Sequence, residues 1–148
     1  QRQMCIRDRD NDLLACLRLA AKRGVDVRIY TPGVPDKPTI YQLTRSYFPH
    51  LLRAGVRIFS YTPGFLHAKT WLVDDRIAAV GTVNLDYRSL YLHFENSVLI
   101  YGGAVLDDVR RDLAEIERES AEVKLADCRT GFFGTMYSAV LRLVAPLC

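Results

Sequence analysis

Residues 66–84 have the sequence LHAKTWLVDDRIAAVGTVN, and this stretch decides the fold prediction. Residues 66–73 are rich in β-branched and aromatic side chains and predict a strand, and residues 77–81 predict a second, shorter strand. The Asp74-Asp75-Arg76 segment between them has the composition of a tight turn. The stretch is therefore expected to form a β-hairpin.

Helical and strand patterns alternate along the rest of the chain. Apolar residues at helical spacing follow an N-cap at Asn11 or Asp12 and stop at Gly24. The further predicted elements are strands over 25–30, 56–61 and 95–101, a helix over 41–54 that is interrupted or restarted at Pro49 and ends at Gly55, and a helix over 105–119 whose core face carries Val105, Val109, Leu113 and Ile116. This alternation predicts the α/β class, with a mixed β-sheet flanked by helices.

The composition is ordinary for a globular protein of one domain: 148 residues, 49% hydrophobic and 25% charged. The formal net charge of +3 is compatible with anionic partners such as phospholipid head groups or nucleic acid. No apolar run reaches the roughly 18 residues that a membrane-spanning helix needs. The cysteines, Cys5, Cys16, Cys128 and Cys148, show no CxxC pair and no metal-ligand spacing, so free thiols are expected.

Three segments are predicted. Residues 1–9 lack periodicity and are expected to be a non-native or disordered lead, and residues 10–130 form the domain. Residues 131–148 are expected to form an amphipathic helix, with Arg142 as the one charge on its apolar face. That helix would dock on the domain or on a partner domain, or it would lie at a membrane interface.

His67, Lys69 and Trp71 would share one face of the first hairpin strand, because alternate residues of a strand point to the same side. A histidine and a lysine side by side on a buried strand are costly unless an anion compensates their charge, as a phosphate would. An imidazole can attack phosphorus or donate a proton to a leaving oxygen near neutral pH. An ammonium can stabilise the negative oxygens of the transition state. The pair therefore favours phosphodiester chemistry.

Three further polar residues are predicted to join this pair. Thr82 and Asn84 follow the second strand at Gly81, where a glycine permits close backbone approach, and both could donate hydrogen bonds to the same phosphate. Glu95 is expected to fix the tautomer of His67 and to stabilise its imidazolium form. Each of these residues alone has an ordinary structural explanation, so the hypothesis depends on their combination.

The spacing His67-x-Lys69-x4-Asp74-x6-Gly81-Thr82-x-Asn84 resembles the HKD motif of the phospholipase D superfamily. Longer stretches narrow the resemblance to the second half of bacterial cardiolipin synthases, and it runs from about Asp12 to the end of the chain. These stretches are YTPGFLHAK at 61–69, VGTVNLDYRSL at 80–90, Asn96 after Phe94-Glu95, RSYF at 45–48 and LRLVAPL at 141–147.

This resemblance implies one phospholipase D-like domain with a single HKD motif. It implies a phosphatidyltransferase that makes cardiolipin from two phosphatidylglycerol molecules, with release of glycerol and a phosphohistidine intermediate. Its partners would be phosphatidylglycerol and other anionic phospholipids at the membrane surface, and not nucleic acid. No metal or other cofactor would be required, and the location would be the bacterial cell membrane.

The resemblance also implies a role for each motif residue. His67 would be nucleophile or general acid, with the acid/base role favoured, and Glu95 would hydrogen-bond to it. Thr82 stands where serine is usual, and Asp74 matches the motif aspartate, whose role is largely structural. The predicted site residues are His67, Lys69, Asp74 and Glu95 for catalysis, and Lys69, Thr82 and Asn84 for the substrate phosphate, with no metal ligand.

Enzymes of this superfamily build one active site from two HKD motifs, and this chain has one His-x-Lys. Its other histidines, His50 and His93, have Leu52 and Glu95 two residues later. The resemblance therefore implies a C-terminal half without the first motif and its N-terminal membrane helices, or a chain that pairs with a second copy of itself. Two alternatives stay open: another phospholipase D-type phosphodiesterase (a lipid hydrolase or a nuclease), and a non-catalytic half-domain that packs against a partner. The absence of a Lys/Arg cluster argues against a nuclease.

Overall fold

The structure is a computed structural model that describes residues 2–3, 11–35, 38–86, 88–128 and 136. Its elements in chain order are β1 (Arg2–Gln3), α1 (Asn11–Lys22), β2 (Arg28–Pro32), α2 (Pro38–Leu52), β3 (Arg57–Tyr61), β4 (Thr70–Val73), β5 (Ile77–Gly81), a π-helical turn (Arg88–Leu92), β6 (Ser97–Tyr101), α3 (Ala104–Arg118), β7 (Ser120–Glu122) and a short 3-10 helix (Leu125–Cys128).

The strands form one mixed sheet in the order β6-β5-β4-β1-β2-β3-β7. Strands β1, β2 and β3 are parallel, and the other neighbouring strands are antiparallel. Parallel neighbours need a crossover connection, and α2 supplies the one between β2 and β3. The predicted class, α/β with a mixed sheet flanked by helices, is confirmed.

Helices pack on both faces of the sheet. Successive residues of a strand face opposite sides, so Ile29 and Tyr30 of β2 enter different apolar clusters. The cluster with α1 and α2 includes Leu17, Ile29, Leu43, Phe48, Leu51, Ile58 and Leu85. The cluster with α3 includes Tyr30, Phe59, Leu72, Ala78, Leu106, Leu113 and Ile116. Each such large side chain contributes about 1.5–3 kcal/mol when it is fully buried, so the two clusters fix the helices on the sheet.

Glycines follow the first two helices, as predicted. Gly24 and Gly55 have φ angles of 90° and 94°, a conformation that favours glycine. Helix α2 continues through Pro49, so the predicted interruption there is wrong. Pro49 removes one main-chain hydrogen bond in the last turn of the helix, and the buried Phe48 and Leu51 hold that turn against the core.

The predicted strands begin too early. The strand expected over 66–73 starts at Thr70, and the strand expected over 95–101 starts at Ser97. The strand expected over 25–30 is displaced toward the C-terminus, because β2 starts at Arg28 and ends at Pro32. In each case strand pairing begins later in the chain than predicted.

The hairpin turn is confirmed, because Asp74 and Asp75 have the positive φ angles, 50° and 52°, of a tight turn. Helix α3 is also confirmed as a core-facing helix, but one residue of its predicted face is wrong. Val105 is 53% exposed, and its neighbour Leu106 is buried instead. The helix starts one residue before the predicted position, and its first turn faces the sheet through Leu106.

The chain termini are described only in part. Arg2–Gln3 form β1 between β2 and β4, and the non-native or disordered lead over residues 1–9 stays a prediction. The helix predicted over 131–148 lies outside the described residues apart from position 136. Cys16 and Cys128 are free thiols, and the other two cysteines lie outside the description. No helix in the described part of the chain is long and apolar enough to span a membrane.

A polar network ties β2 to α3. The Arg28 Nη1 atom donates to both carboxylate oxygens of Glu117, at 3.0 and 2.9 Å, and the Tyr30 hydroxyl donates to the same carboxylate. Arg28 also donates to Asp26 through Nε at 2.9 Å. Burial raises the pKa of the Tyr30 phenol, and Glu117 raises it further, so the hydroxyl stays protonated as a donor at neutral pH.

We predict that Glu117→Ala lowers the free energy of unfolding by about 1–3 kcal/mol, because it leaves the Tyr30 hydroxyl and the Arg28 guanidinium without their shared acceptor. Urea denaturation measures the loss. The control is Glu115→Ala, which removes an ion pair with Arg118 whose side chains are 65% and 73% exposed. Its effect should stay within about 0.5 kcal/mol. Equal losses in the two variants would contradict the prediction.

Candidate active site at the β4–β5–β6 edge

Five of the six predicted site residues, all but Asp74, lie near the neighbouring ends of three antiparallel strands. Lys69 precedes β4, Thr82 follows β5, and Glu95 lies two residues before β6. Because β5 is antiparallel to both β4 and β6, the start of β4, the end of β5 and the start of β6 lie side by side. The sheet thus brings together residues that are far apart in the sequence.

His67 and Lys69 lie in an irregular segment before β4. The prediction that they share a strand face is therefore wrong: His67 is exposed, whereas Lys69 is 9% exposed. The Lys69 ammonium donates to the His67 carbonyl oxygen at 2.9 Å, and the Lys69 carbonyl accepts the N–H of Gly81 at 3.2 Å. The His67 ring stacks on Phe65, with ring centroids 5.6 Å apart. The lysine side chain is thus fixed close to the backbone that carries the imidazole.

Gly81 lets the end of β5 approach the start of β6 closely. A Cβ atom at this position would lie 2.5 Å from Ser97 Cα and would also collide with the carbonyl oxygen of Asn96, so only glycine fits. Thr82 forms two hydrogen bonds with Asn96. Its N–H donates to the Asn96 carbonyl at 2.9 Å, and its hydroxyl oxygen accepts the Asn96 N–H at 3.0 Å. The predicted close backbone approach at Gly81 is confirmed.

Asn84 lies half-buried in the loop after Thr82. Its carboxamide oxygen is buried and has no hydrogen-bond partner among the described residues. The next residue, Leu85, is 2% exposed and packs into the cluster formed with α1 and α2, which anchors the loop. A buried polar atom without a partner costs about 1–3 kcal/mol. The Asn84 carboxamide is therefore a candidate group for contacting a ligand.

Glu95 is held by hydroxyl groups. Hydrogen bonds from the Thr82 and Ser89 side chains lower the pKa of the Glu95 carboxyl, against the opposing effect of its partial burial. Within the described part of the chain the carboxylate makes no hydrogen bond to His67, so the predicted pairing is not formed in this structure. The His67 ring is exposed and stacks on Phe65 instead.

Asp74 is not brought to the site. It lies in the hairpin turn, whereas Lys69 lies at the other end of β4, and a strand of four residues spans about 13 Å. The φ angle of 50° at Asp74 is one that aspartate tolerates better than most residues. The geometry therefore supports a turn role for Asp74 and does not support a catalytic one.

Sequence reasoning missed Asp86 and Ser89. Asp86 is 2% exposed, its Oδ1 atom accepts the Ser89 N–H at 2.6 Å, and its carbonyl accepts the Leu90 N–H at 3.0 Å. It therefore caps the π-helical turn. An aspartate three residues before a serine at the start of a helical turn is a sequence signal for such a cap. The contact between Ser89 and Glu95 has no such signal, because it depends on the fold.

The neighbouring ends of β4, β5 and β6 thus present an exposed imidazole, a buried lysine, a carboxylate and a carboxamide whose oxygen has no partner among the described residues. The imidazole can transfer a proton near neutral pH, and the ammonium and carboxamide can hold an anion. Among the described residues, no group of three or more His, Cys, Asp or Glu side chains could hold a metal ion.

Residues 3–117 match the family model described as cardiolipin synthase, PLD-like domain. The chain belongs to this family, and its fold is that of a phospholipase D-like domain. The resemblance inferred from the motif is confirmed.

Relatives and a solved structure agree with this assignment. A protein from Streptococcus mutans described as uncharacterized is 45% identical over 139 residues, which are 93% of this chain and 30% of that protein. A protein named cardiolipin synthase 2 from Bacillus anthracis is 43% identical over 114 residues, 77% of this chain and 22% of that protein. The chain thus spans less than a third of the length of either relative.

The solved structure is that of Nuc from Salmonella typhimurium, a phospholipase D family member. It superposes with a TM-score of 0.69 at 18% identity, covering 83% of this chain and 80% of that chain. At this identity the likeness shows the fold alone.

We predict that Gly81→Ala separates the end of β5 from the start of β6 and lowers the free energy of unfolding by about 1–3 kcal/mol, as overpacking does. Gly64→Ala is the control, since a Cβ atom at Gly64 would meet nothing within 4 Å. Hydrogen exchange should show faster exchange of the Thr82 and Asn96 amides in Gly81→Ala only. Unchanged protection of both amides would show that the close contact is not as rigid as argued.

Proposed function

We propose that this chain is the second-motif half of a phosphatidyltransferase that makes cardiolipin from two phosphatidylglycerol molecules and releases glycerol. The observation that carries the proposal is the gathering of His67, Lys69, Asn84 and Glu95 at one sheet edge in a chain of the cardiolipin synthase, PLD-like family. These groups suit the handling of a phosphodiester, which needs a proton carrier and donors for negative oxygens.

The proposed reaction has two displacements at phosphorus. In the first, an imidazole nitrogen attacks the phosphorus of one phosphatidylglycerol, and the bond to the head-group glycerol breaks. That glycerol leaves with a proton donated by the second imidazole, and a phosphohistidine remains. In the second, a head-group hydroxyl of another phosphatidylglycerol attacks the same phosphorus and gives its proton to the second imidazole. The phosphohistidine bond breaks, and cardiolipin is released.

We assign His67 to the acid/base role in these steps, as the resemblance to the second motif implies, and its ring is exposed. The Lys69 ammonium and the amide N–H groups of Asn84 hold the phosphate oxygens. Thr82 is a weaker candidate for the phosphate than the sequence suggested. Its hydroxyl has one proton, and that hydroxyl is already engaged with Asn96 and Glu95.

The nucleophilic imidazole would come from a partner with the first HKD motif. Two facts support this: the chain has one His-x-Lys, and it spans less than a third of the length of the relatives described above. The partner is the first-motif half of the same enzyme or a second copy of this chain. Substrates of this kind are anionic lipids, so the proposed place of work is the surface of the bacterial cell membrane.

A second candidate function is hydrolysis by the same half-site. His67 and Thr82 are exposed, so water could replace the acceptor alcohol in the second displacement and give phosphatidate. A non-catalytic half-domain that packs against a partner is the remaining alternative.

The test supplies the chain with the first-motif half of a cardiolipin synthase relative and follows phosphatidylglycerol by mass spectrometry. We predict cardiolipin and free glycerol as products. His67→Ala should reduce turnover about 100- to 10,000-fold, because it removes the proton carrier. The control is His50→Gln, a histidine in the last turn of α2, which should retain turnover.

The products separate the alternatives. Phosphatidate without cardiolipin would support hydrolysis instead. No lipid turnover, or equal turnover in His67→Ala and the parent, would refute the catalytic proposal and favour the non-catalytic half-domain.

A further inference from the structure

We propose that an apolar rim beside the candidate site docks this chain on the surface of a phospholipid bilayer, with Phe94 inserted among the acyl chains. The rim consists of the side chains of Phe65, Leu92 and Phe94. The choice of a lipid occupant rests on the proposed function, because a phosphatidyltransferase takes its substrate from a bilayer. The exposure of the rim is a property of the chain itself.

The three rim side chains are large, apolar and open to solvent. Phe65 is 52% exposed and Leu92 is 64% exposed, whereas Phe94 is fully exposed at 109%, so its ring projects from the surface. A single exposed apolar side chain is ordinary, but several at one place mark a contact surface. Each of these side chains would gain free energy on leaving water.

Strand pairing brings the rim to the end of the sheet that holds the site residues. The Phe65 ring stacks on the His67 ring, with centroids 5.6 Å apart. Phe94 lies two residues before Asn96, whose main chain is hydrogen-bonded to Thr82 at the end of β5. Strands β4 and β6 flank β5 and are therefore about 10 Å apart. The rim thus borders the site from two separate segments.

The apolar surface continues from the rim onto the sheet. Val80, near the end of β5, pairs with Val98, near the start of β6. Both side chains are exposed, and both lie at the same end of the sheet as the rim. The rim therefore belongs to a larger apolar area around the site.

The charges along the hairpin suit an anionic surface on the rim side. His67 and Lys69 lie at the rim end together with Glu95, whereas Asp74 and Asp75 lie in the turn at the other end of β4, about 13 Å away. The turn end is therefore the more negative of the two. A membrane of anionic lipids that approaches the rim meets less repulsion than one that approaches the turn.

The shape of the rim favours a fluid lipid phase over a protein face. A stable protein interface buries roughly 800 Å² on each partner in a continuous, closely packed patch. The rim consists of three side chains on two loops, and the Phe94 ring stands out from the surface. Acyl chains can close around a projecting ring without a preformed pocket, and interfacial segments bury phenylalanine and leucine in this way.

Such docking would place the imidazole at the depth of the lipid phosphates. In a phospholipid the phosphodiester lies directly above the acyl region. With Phe94 in that region and Phe65 stacked on His67, the site would meet the phosphodiester without lifting the lipid out of the bilayer. The rim thereby gives the proposed half-site its orientation toward the membrane.

The first test places a fluorophore on the rim of the chain and adds phosphatidylglycerol vesicles. Phe94→Trp introduces an indole there, and the parent chain gives the background of its single tryptophan, Trp71. We expect the emission of Phe94→Trp to shift to the blue and to be quenched by bromine atoms on the acyl chains. Tyr101→Trp is the control, because Tyr101 is 69% exposed but lies at the other end of β6. Its added emission should not be quenched.

The second test measures binding to the same vesicles by sedimentation. Phe94→Ser and Leu92→Ser should each weaken binding about 5- to 20-fold, because each removes a large apolar side chain from the contact. Tyr101→Ser, the matched control, should stay within about twofold of the parent chain.

Three results would overturn the proposal. One is the absence of quenching in Phe94→Trp, and another is an equal loss of binding in Tyr101→Ser, which would indicate general adsorption. The third is a blue shift of Phe94→Trp on addition of the first-motif half alone, with no quenching when vesicles follow. That result would make the rim a protein interface.

Turnover by the reconstituted enzyme separates failure of the rim from failure of the proposed function. Phe94→Ser should lose more turnover on phosphatidylglycerol vesicles than on dispersed short-chain phosphatidylglycerol, because its defect lies in reaching the bilayer. Quenching by acyl chains without any turnover would leave the rim standing and reject the reaction. Turnover with equal losses on the two substrates, together with no quenching, would keep the reaction and reject the rim.

Discussion

The close contact between the end of β5 and the start of β6 is the constraint on which the candidate site depends. No side chain fits at Gly81, so the backbone at Asn96 comes near enough for Thr82 to bond with it through both its main chain and its hydroxyl. This contact fixes Glu95, which directly precedes Asn96. Without it, the residue would lie on a free loop, and two hydroxyls from separate segments could not meet one carboxylate.

In the candidate site, two charged side chains are fixed by hydrogen bonds, and the imidazole is exposed to solvent. Lys69 is buried and bonded to its own segment, and Glu95 is engaged by hydroxyls, so both are oriented in advance. His67 is exposed at the same edge and is supported by the Phe65 ring. Such an arrangement suits half of a shared active site, in which a partner brings the complementary group to a preset electrostatic environment.

Two apolar clusters and one polar network stabilise the sheet that carries the site residues. Leu85 anchors the loop after β5 in the cluster with α1 and α2, while α3 packs on the other face of the sheet. The Arg28–Glu117–Tyr30 network joins α3 to β2 in addition to apolar contacts. In this member of the cardiolipin synthase, PLD-like family, the ends of β4, β5 and β6 carry the candidate site residues.

The sequence by itself determined the hairpin turn at Asp74-Asp75, the glycine stops and the motif from His67 to Asn84, because these signals are local. It also determined the α/β class, because helical and strand patterns alternate along the chain. Only the tertiary structure decided that His67 is exposed while Lys69 is buried, that Pro49 does not break α2, and that hydroxyls from Thr82 and Ser89, and not His67, engage Glu95. These outcomes depend on which distant segments the sheet places side by side. Strand composition predicts a strand, but pairing and packing decide where it begins and which side chains meet.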